Sequence, residues 1–444
     1  MMRLPEYAAR AIAQLEQAGC ETWAVGGCVR DSLRGAEPHD FDLCTSARPE
    51  EMLRVFAGER LIKTGLRHGT LTVLTEGGPL EITSFRADGS YSDGRHPDGV
   101  RFVSSIRDDL ARRDFTVGAM AWHPERGLFD PFGGREDLEN RVLRAVGDPD
   151  MRFAEDALRI LRAVRFASEL GFSIEENTAA AMERQAGRLA LIAPERVREE
   201  LTRLLCGRWV QRTLLGYTAI IGAALPELRP MFGCTQDNPH HCYDVWGHTV
   251  RAVGQVPPEP CLRWAMLLHD SGKPACKTVD EQGVGHFRGH PKASRALAER
   301  LLPRLRFSNE DSERILLLVE QHDRSLGDSD KLVRRRLAQI GEARFRDLLM
   351  IKKGDAVGQN TQPWDVGTLQ GTERLLNEVL RQDSCLSLRR LAVNGRDMQT
   401  LGLTGEKIGE MLRFLLDAVL DDPARNDRET LLRLARTEME EQHG

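Results

Sequence analysis

Apolar positions recur at helical spacing across residues 5–19, and the period then shortens. The stretches "TWAVGG", "LTVLTE", "PLEITSFR" and "VRFVSS" are short, rich in apolar and β-branched residues, and separated by glycine or charge, which predicts short strands. Near residue 150 the pattern changes. From "FAEDALRILRAVRFASELGF" onward, segments such as "ERVREELTRLLCG", "CLRWAMLLHD", "KASRALAERLLPRLR", "SERILLLVEQH" and "IGEMLRFLLDAVL" carry helical periodicity with almost no strand signal. The pattern predicts a mixed α/β head over residues 1–150 and an all-helical remainder. Neither a fixed-period repeat nor a low-complexity linker interrupts it.

One stretch of the head raises a chemical question. In "VGGCVRDSLRGAEPHDFDLCT" a glycine pair, Gly26 and Gly27, leads into the helix-like "CVRDSLRG", and Asp40 and Asp42 follow one residue apart. In an extended segment alternate residues face the same way, so both carboxylates project to one side and Phe41 and Leu43 to the other. A solvated strand edge accounts for such a pair; so does a divalent metal that both carboxylates neutralise. Mg²⁺ suits the second reading, because it takes oxygen ligands and prefers one or two carboxylates together with substrate phosphates. The glycines then let backbone N–H groups approach a polyphosphate.

Composition narrows the class. With 444 residues the chain is long enough for more than one domain, and 41% hydrophobic with 29% charged residues is ordinary for a globular protein. The net charge of −5 does not announce a nucleic-acid partner, so any RNA surface has to be a local patch. Nine scattered cysteines without a C-x-x-C fit reduced thiols better than a disulfide framework or a zinc ribbon. The N-terminus has no long apolar core and no apolar run approaches the ~18 residues a membrane span needs, so the expectation is a cytoplasmic protein with no membrane partner.

Downstream, Glu81 in "EITSFR" sits on a predicted strand as a third carboxylate, Arg112 and Arg113 stand beside Asp114 in "RRDFTVGAMA", and "DPFGG" follows. Together with "GGCVRDSLRG", "HDFDLCTSA" and "EDALRILRAVRFASELGF", this ordered series resembles the class II CCA-adding tRNA nucleotidyltransferases and the related bacterial poly(A) polymerases. The resemblance runs through roughly the first 200 residues. It implies a polymerase-beta-like palm, with Asp40 and Asp42 as Mg²⁺ ligands, Glu81 beside them, and Gly26, Gly27 and Arg30 on the triphosphate; Arg113 and Asp114 belong to the same nucleotide-binding set. The implied reaction is attack of a tRNA 3′-hydroxyl on the α-phosphorus of CTP or ATP, in which positioning and charge neutralisation carry most of the rate.

"FAEDALRILRAVRF" places Glu155, Asp156, Arg159, Arg162 and Arg165 on a predicted helix, with Asp156 and Arg159 as surface neighbours and Arg162 and Arg165 continuing the ridge. An ion-pair ladder explains this spacing. So does base reading, because a carboxylate accepts from an exocyclic amine while a guanidinium donates to a ring acceptor. The E-D-x-x-R pattern matches the family's base-selecting motif at Glu155, Asp156 and Arg159. The resemblance also assigns the switch from C to A in part to the loop "ADGSYSDGRHPDGV", intact here, which favours a full CCA enzyme.

In the helical remainder "DVWGHTV", "LLHDSGK", "GHFRGH", "EQHD" and "KKGDAVGQN" supply His248, His269, Asp270, Lys273, His286, His290, His322 and Asp355. Their order resembles the HD phosphohydrolase superfamily, which implies His248, His269, Asp270 and Asp355 as ligands of a divalent transition metal such as Ni²⁺ or Mn²⁺, with His290 and His322 at a second metal. The other reading is a helix bundle that has lost its metal. Ser271 stands where many HD proteins carry an aliphatic packing residue. The tail "NGRDM…LGLTGEKIG" resembles the end of the same enzymes and puts glycine at a predicted helix start, as a phosphate seat for tRNA or as a plain cap. Arg334, Arg335, Arg336, Lys352 and Lys353 are the candidates for a local basic surface.

The leading expectation is CCA addition to tRNA with an appended metal-dependent 2′,3′-cyclic phosphodiesterase or phosphatase. Poly(A) polymerase, a non-catalytic RNA-binding palm, and a phosphohydrolase with a sensor head are the alternatives. The HD segment and the absence of a basic C-terminal tail favour CCA addition over poly(A) synthesis.

Overall fold

The computed structural model describes residues 2–88, 100–237, 242–359, 366–382 and 385–441. The loop assigned to the C-to-A switch falls largely on residues 89–99 and so lies outside the described residues. The chain divides into two compact units, Met1–Pro226 and Glu227–Gly444.

The first unit is built on a mixed sheet. Its strands are β1 (Thr22–Val25), β2 (Asp42–Thr45), β3 (Arg60–Ile62), β4 (Thr70–Thr75) and β5 (Gly78–Ser84), then β6 (Arg86–Asp88) and β7 (Val100–Phe102), which pair only with each other, and finally β8 (Ala121–His123) and β9 (Gly127–Phe129). The seven-stranded order is β3-β4-β5-β2-β1-β8-β9. β1 sits near the middle and all four of its residues are buried, so it reads as an apolar run without alternation. Trp23, Val25, Cys44, Phe85, Leu110 and Val146 close the core around it. The four stretches predicted as strands are β1, β4, β5 and β7, and the N-terminal helix spans Glu6–Gln17. β3, β8 and β9 have three residues each, too few to show a period.

One pairing matters more than the rest. β2 runs antiparallel to β1 but parallel to β5, with Asp42 opposite Glu81. Two carboxylates 39 positions apart in sequence are thereby set side by side at one end of the sheet.

Past residue 150 the described chain is helical apart from two-residue bridges. The helix predicted through "FAEDALRILRAVRF" is in fact two. Pro149–Glu155 ends at Asp156, which is extended (φ −143°, ψ 104°), and Leu158–Leu170 begins two residues on. Asp156 causes the break chemically: its Oδ1 accepts a hydrogen bond from the Leu158 N–H at 2.9 Å, an Asx turn that competes with helix continuation.

In the second unit the helices Val245–Gln255, Pro260–Leu268, His290–Arg304, Asn309–Gln321 and Glu342–Gln359 carry the His/Asp set. The terminal helices Gly395–Thr400, Glu406–Asp421 and Arg428–Glu441 pack around Met398, Leu415, Leu431 and Ala435. The helix that starts at Gly395 is closed by a capping box of Asn394 and Asp397, which supports the plain cap over a phosphate seat. The proposed basic surface is largely spent internally: Arg334 is buried and donates to the Leu420 carbonyl, Arg335 pairs with Asp421, Lys353 with Glu373, Arg336 binds Gln321, and Lys352 donates to the His322 carbonyl. No described helix is long and apolar enough to cross a membrane.

Candidate active site and candidate metal centre

In the first unit the end of β1, the start of β2 and the Leu158–Leu170 helix enclose a cleft of about 420 Å³ lined by Gly26, Gly27, Arg30, Asp42, Arg112, Arg113, Asp114, Asp156, Arg159, Arg162, Phe166 and Arg196. Gly26 has φ 76°, a backbone conformation that favours glycine, and a Cβ there would sit 3.0 Å from Arg113 Nη1. On the acidic side, burial and then the charges of Asp40 and Glu81 push the Asp42 carboxyl up to about 6, despite Arg113. The negative charges outweigh the one cation acting on Asp42, and an all-oxygen donor set fits Mg²⁺.

The cationic side is held rigidly. Asp114 accepts from Arg162 Nε at 2.7 Å; burial pushes its carboxyl up, but the Arg162 guanidinium outweighs this and holds it below the usual carboxylate range. Arg159 donates to Glu155 Oε2 (2.6 Å), the Arg152 carbonyl (3.1 Å) and the Arg112 carbonyl (3.0 Å), so it pairs with Glu155 four residues back as a ladder would. Asp156 pairs with Arg196 at 3.0 Å. Arg165 is the correction in this set. It is buried, stands 2.8 Å from Glu200, and is not among the residues lining the cleft, because it lies on the inner face of its helix.

Sequence reasoning missed Arg196 and Phe166. Arg196 meets Asp156 only through the fold, forty residues away. Phe166 is a platform for Arg30, Arg162 and Arg165, whose guanidinium carbons lie 5.5, 5.6 and 4.2 Å from its ring centre. The aromatic inside an arginine-rich helix was the available signal for it.

In the second unit, five helices bring the His/Asp set to one point. His248 lies within the Val245–Gln255 helix, His269 caps the end of Pro260–Leu268 with Asp270 next to it, and Asp355 lies on Glu342–Gln359. His290 opens its helix, and His322 caps the end of Asn309–Gln321. Asp270 Oδ2 is 3.2 Å from Nε2 of both His248 and His269, and Asp355 Oδ1 is 3.0 and 3.4 Å from the same atoms. Asp270 Oδ1 faces the other way, 3.3 Å from His290 Nε2 and 3.8 Å from His322 Nε2. The two triads His248–His269–Asp270 and Asp270–His290–His322 each converge tightly enough to hold a metal ion.

Neither Asp270 oxygen accepts a well-directed hydrogen bond, although the Lys273 ammonium is 2.7 Å from Oδ2. Buried carboxylate oxygens left in this state fit metal coordination. Burial alone would pull the His269 imidazolium down, but the charges of Asp270 and Asp355 push it up to about 10; burial and the His269 charge pull His322 down to about 4. Ser271 has a packing role: its hydroxyl donates to the Leu268 carbonyl at 2.8 Å. His286 is taken up by Asp280 at 2.7 Å.

Three family models match the chain: the poly A polymerase head domain over residues 22–144, the probable RNA and SrmB-binding site of polymerase A over 171–230, and the HD domain over 240–348. Among curated proteins, a CCA-adding enzyme of Limosilactobacillus fermentum is 32% identical over 97% of this chain and 96% of its own length. One of Geobacillus kaustophilus is 46% identical over 47% of this chain and 51% of its own. Among solved structures, the Bacillus stearothermophilus CCA-adding enzyme in complex with CTP is 27% identical, with a TM-score of 0.76 and full coverage of both chains. A Thermotoga maritima CCA-adding enzyme complexed with tRNA shares the fold at 19% identity and TM-score 0.60, covering 98% of this chain and 97% of that one. A mixed-sheet, polymerase-beta-like head, a helical HD region and 32% identity over nearly the full length of a curated relative lead to one assignment: the chain is a tRNA nucleotidyltransferase and belongs to the CCA-adding enzyme family.

Proposed function

We propose that the chain completes the 3′ end of tRNA with C, C and A from CTP and ATP, using Mg²⁺, and that its HD centre hydrolyses phosphate esters with a divalent transition metal such as Ni²⁺ or Mn²⁺. The supporting observation is the register that pairs Glu81 with Asp42, the one of the three carboxylates that lines a cleft whose other wall is arginine. The four segments 1–150, 151–230, 231–365 and 366–444 then serve as palm, base-selecting neck, HD domain and tRNA-binding tail.

Asp40, Asp42 and Glu81 would hold Mg²⁺, which when bound lowers the pKa of the attacking hydroxyl and neutralises phosphate charge. The Gly26–Gly27 backbone admits the triphosphate closely, and Arg30 and Arg113 supply charge to it. Asp156 accepts the exocyclic amine of cytosine or adenine while Arg159 donates to the neighbouring ring nitrogen; guanine and uracil present the reverse order and are refused. Arg162, fixed by Asp114, closes the wall beside the base.

Arg196→Ala is expected to raise misincorporation of U and G roughly tenfold with little loss of C addition, because Asp156 loses the partner that aims it while the metal ligands are untouched. Single-nucleotide primer extension measures it, and unaltered selectivity would reduce the pair to a surface contact.

The function itself is tested by offering tRNA that lacks its 3′ end with each nucleotide singly and then CTP with ATP. Two C and one A, followed by arrest, supports this reading, as the curated relatives do. Continuous ATP-only addition would support the poly(A) polymerase reading instead.

In the HD centre His248, His269, Asp270 and Asp355 would form one metal site and Asp270, His290 and His322 a second, and the metal when bound activates water toward a phosphate ester. Lys273 and Arg288 line the adjoining pocket, where their charge suits a phosphate or a 2′,3′-cyclic phosphodiester. Since His269 is pushed up to about 10, it is charged at neutral pH without metal, and loading displaces its proton. Calorimetric Ni²⁺ or Mn²⁺ titration in two buffers of different ionisation enthalpy reads that release directly, and affinity should rise as pH rises toward 10. Loading without proton release would place the ion elsewhere.

A further inference from the structure

The first unit has a second cleft, of about 430 Å³, to which none of the candidate site residues contributes. Arg34, Arg141, Phe172, Arg208 and Trp209 line it together with the acids Glu139 and Glu169, and its character is cationic and aromatic. Arg34 lies over the Phe172 ring at 5.5 Å and Arg208 over Trp209 at 5.8 Å. The two acids are matched by arginines outside the lining set: Glu139 pairs with Arg135 at 3.0 Å, and Glu169 with Arg203 at 3.1 Å. Arg34 is shared with Asp31 at 3.4 Å. Arg141 and Arg208 have no ion-pair partner among the described residues, and both are exposed.

Two further features mark the site. Arg141 has φ 57°, the left-handed region that favours glycine, so the chain keeps an arginine side chain at a strained position where glycine would be relaxed. Trp209 rests edge-on against Gly171, where no Cβ fits, yet leaves 41% of its surface exposed. The cleft also shares two helices with the candidate active site: Gly27–Leu33 supplies Arg30 to one and ends at Leu33 and Arg34 in the other, and Leu158–Leu170 supplies Phe166 to one and Leu170 to the other.

We infer that this cleft is an RNA-contact site, seating a nucleotide of the tRNA strand with its phosphate on Arg141 and Arg208 and its base or ribose face on Trp209. Unpaired guanidinium groups beside an exposed indole are the chemistry that binds an RNA strand without reading its sequence: phosphate is matched by charge and any base presents a face to stack. The inference rests on the proposed tRNA substrate. It also supplies a local cationic surface in a chain of net charge −5, after the candidates in the second unit proved largely spent.

The test compares the parent with the double variant Arg141→Gly, Arg208→Ala, with Arg208→Glu alone as a second probe, in tRNA binding by fluorescence anisotropy across a salt series. Glycine relaxes the backbone at 141 and both side chains are exposed, so thermal unfolding should be unchanged. The expected result is a Kd for tRNA about tenfold higher and a salt slope smaller by about one to two, with kcat at saturating tRNA and KM for CTP and ATP within about twofold of the parent. Restoring charge with Arg141→Lys, Arg208→Lys should recover most of the affinity. An unchanged Kd and slope overturns the inference while the tRNA reading stands. A raised KM for free CTP or ATP with unchanged tRNA affinity also overturns it, assigning the cleft to free nucleotide. A parent that binds no tRNA fails the proposed function first.

Discussion

Asp42→Ala is expected to lower addition of both C and A by about 10³-fold or more, while tRNA affinity stays within about twofold of the parent. Asp42 is the carboxylate the fold commits most heavily. It opens β2, faces Glu81 across a parallel register, and is the one whose carboxyl burial and its two acidic neighbours push up to about 6. Asp40→Ala should abolish addition as well, since the same metal loses a ligand. Removing Asp42 takes away the anchor for the positive charge on which the phosphates depend, but it leaves every arginine that lines the cleft in place. Single-turnover extension of tRNA lacking its 3′ end, read beside a binding isotherm, separates chemistry from affinity. Near-normal turnover in the Asp42 variant would remove the palm assignment.

The second large effect is expected from Asp270→Asn, which should reduce metal-dependent phosphate-ester hydrolysis by about 10³-fold while CCA addition continues at the parental rate. Asp270 is shared: one oxygen serves His248 and His269 and the other approaches His290 and His322, so a single change removes charge from both triads. Addition should persist because Asp40, Asp42 and Glu81 belong to the other compact unit. Asparagine conserves volume, but Asp270 is buried against the Lys273 ammonium at 2.7 Å, and an unmatched buried charge destabilises a helix bundle. Thermal unfolding therefore has to accompany the assay. A folded variant that loses addition as completely as hydrolysis would mean the two centres are coupled, and a parent without hydrolysis in Mg²⁺, Mn²⁺, Ni²⁺ or Co²⁺ would make the HD region a scaffold.

Much of this arrangement was legible in the chain. The period change near residue 150 separated sheet from helices, because alternation and the 3.6-residue repeat are local consequences of which face meets the core. The D-x-D after a glycine pair pointed to metal and triphosphate, and the ordered His and Asp residues to a second metal, since ligand chemistry is written in residue type and order. The helix through Asp156 was misread because "FAEDALRILRAVRF" keeps a helical period across a side chain that hydrogen-bonds Leu158 N–H instead. The candidate basic surface is largely paired within the chain, which the pattern does not show for a related reason. Sequence counts arginines but does not show that Arg334 is buried or that Arg335 already holds Asp421.

What the sequence by itself determined is the inventory: a mixed head, a helical remainder, carboxylates and glycines for one centre, histidines and aspartates for another. What only the tertiary structure decided is which of these meet. Asp42 faces Glu81 because β2 and β5 run parallel, Asp156 is aimed by Arg196 from forty residues away, and Arg165 turns inward to Glu200 although its spacing matched Arg162. Charged side chains find partners through space, and the energy of an ion pair depends on separation and burial, neither of which a one-dimensional pattern contains.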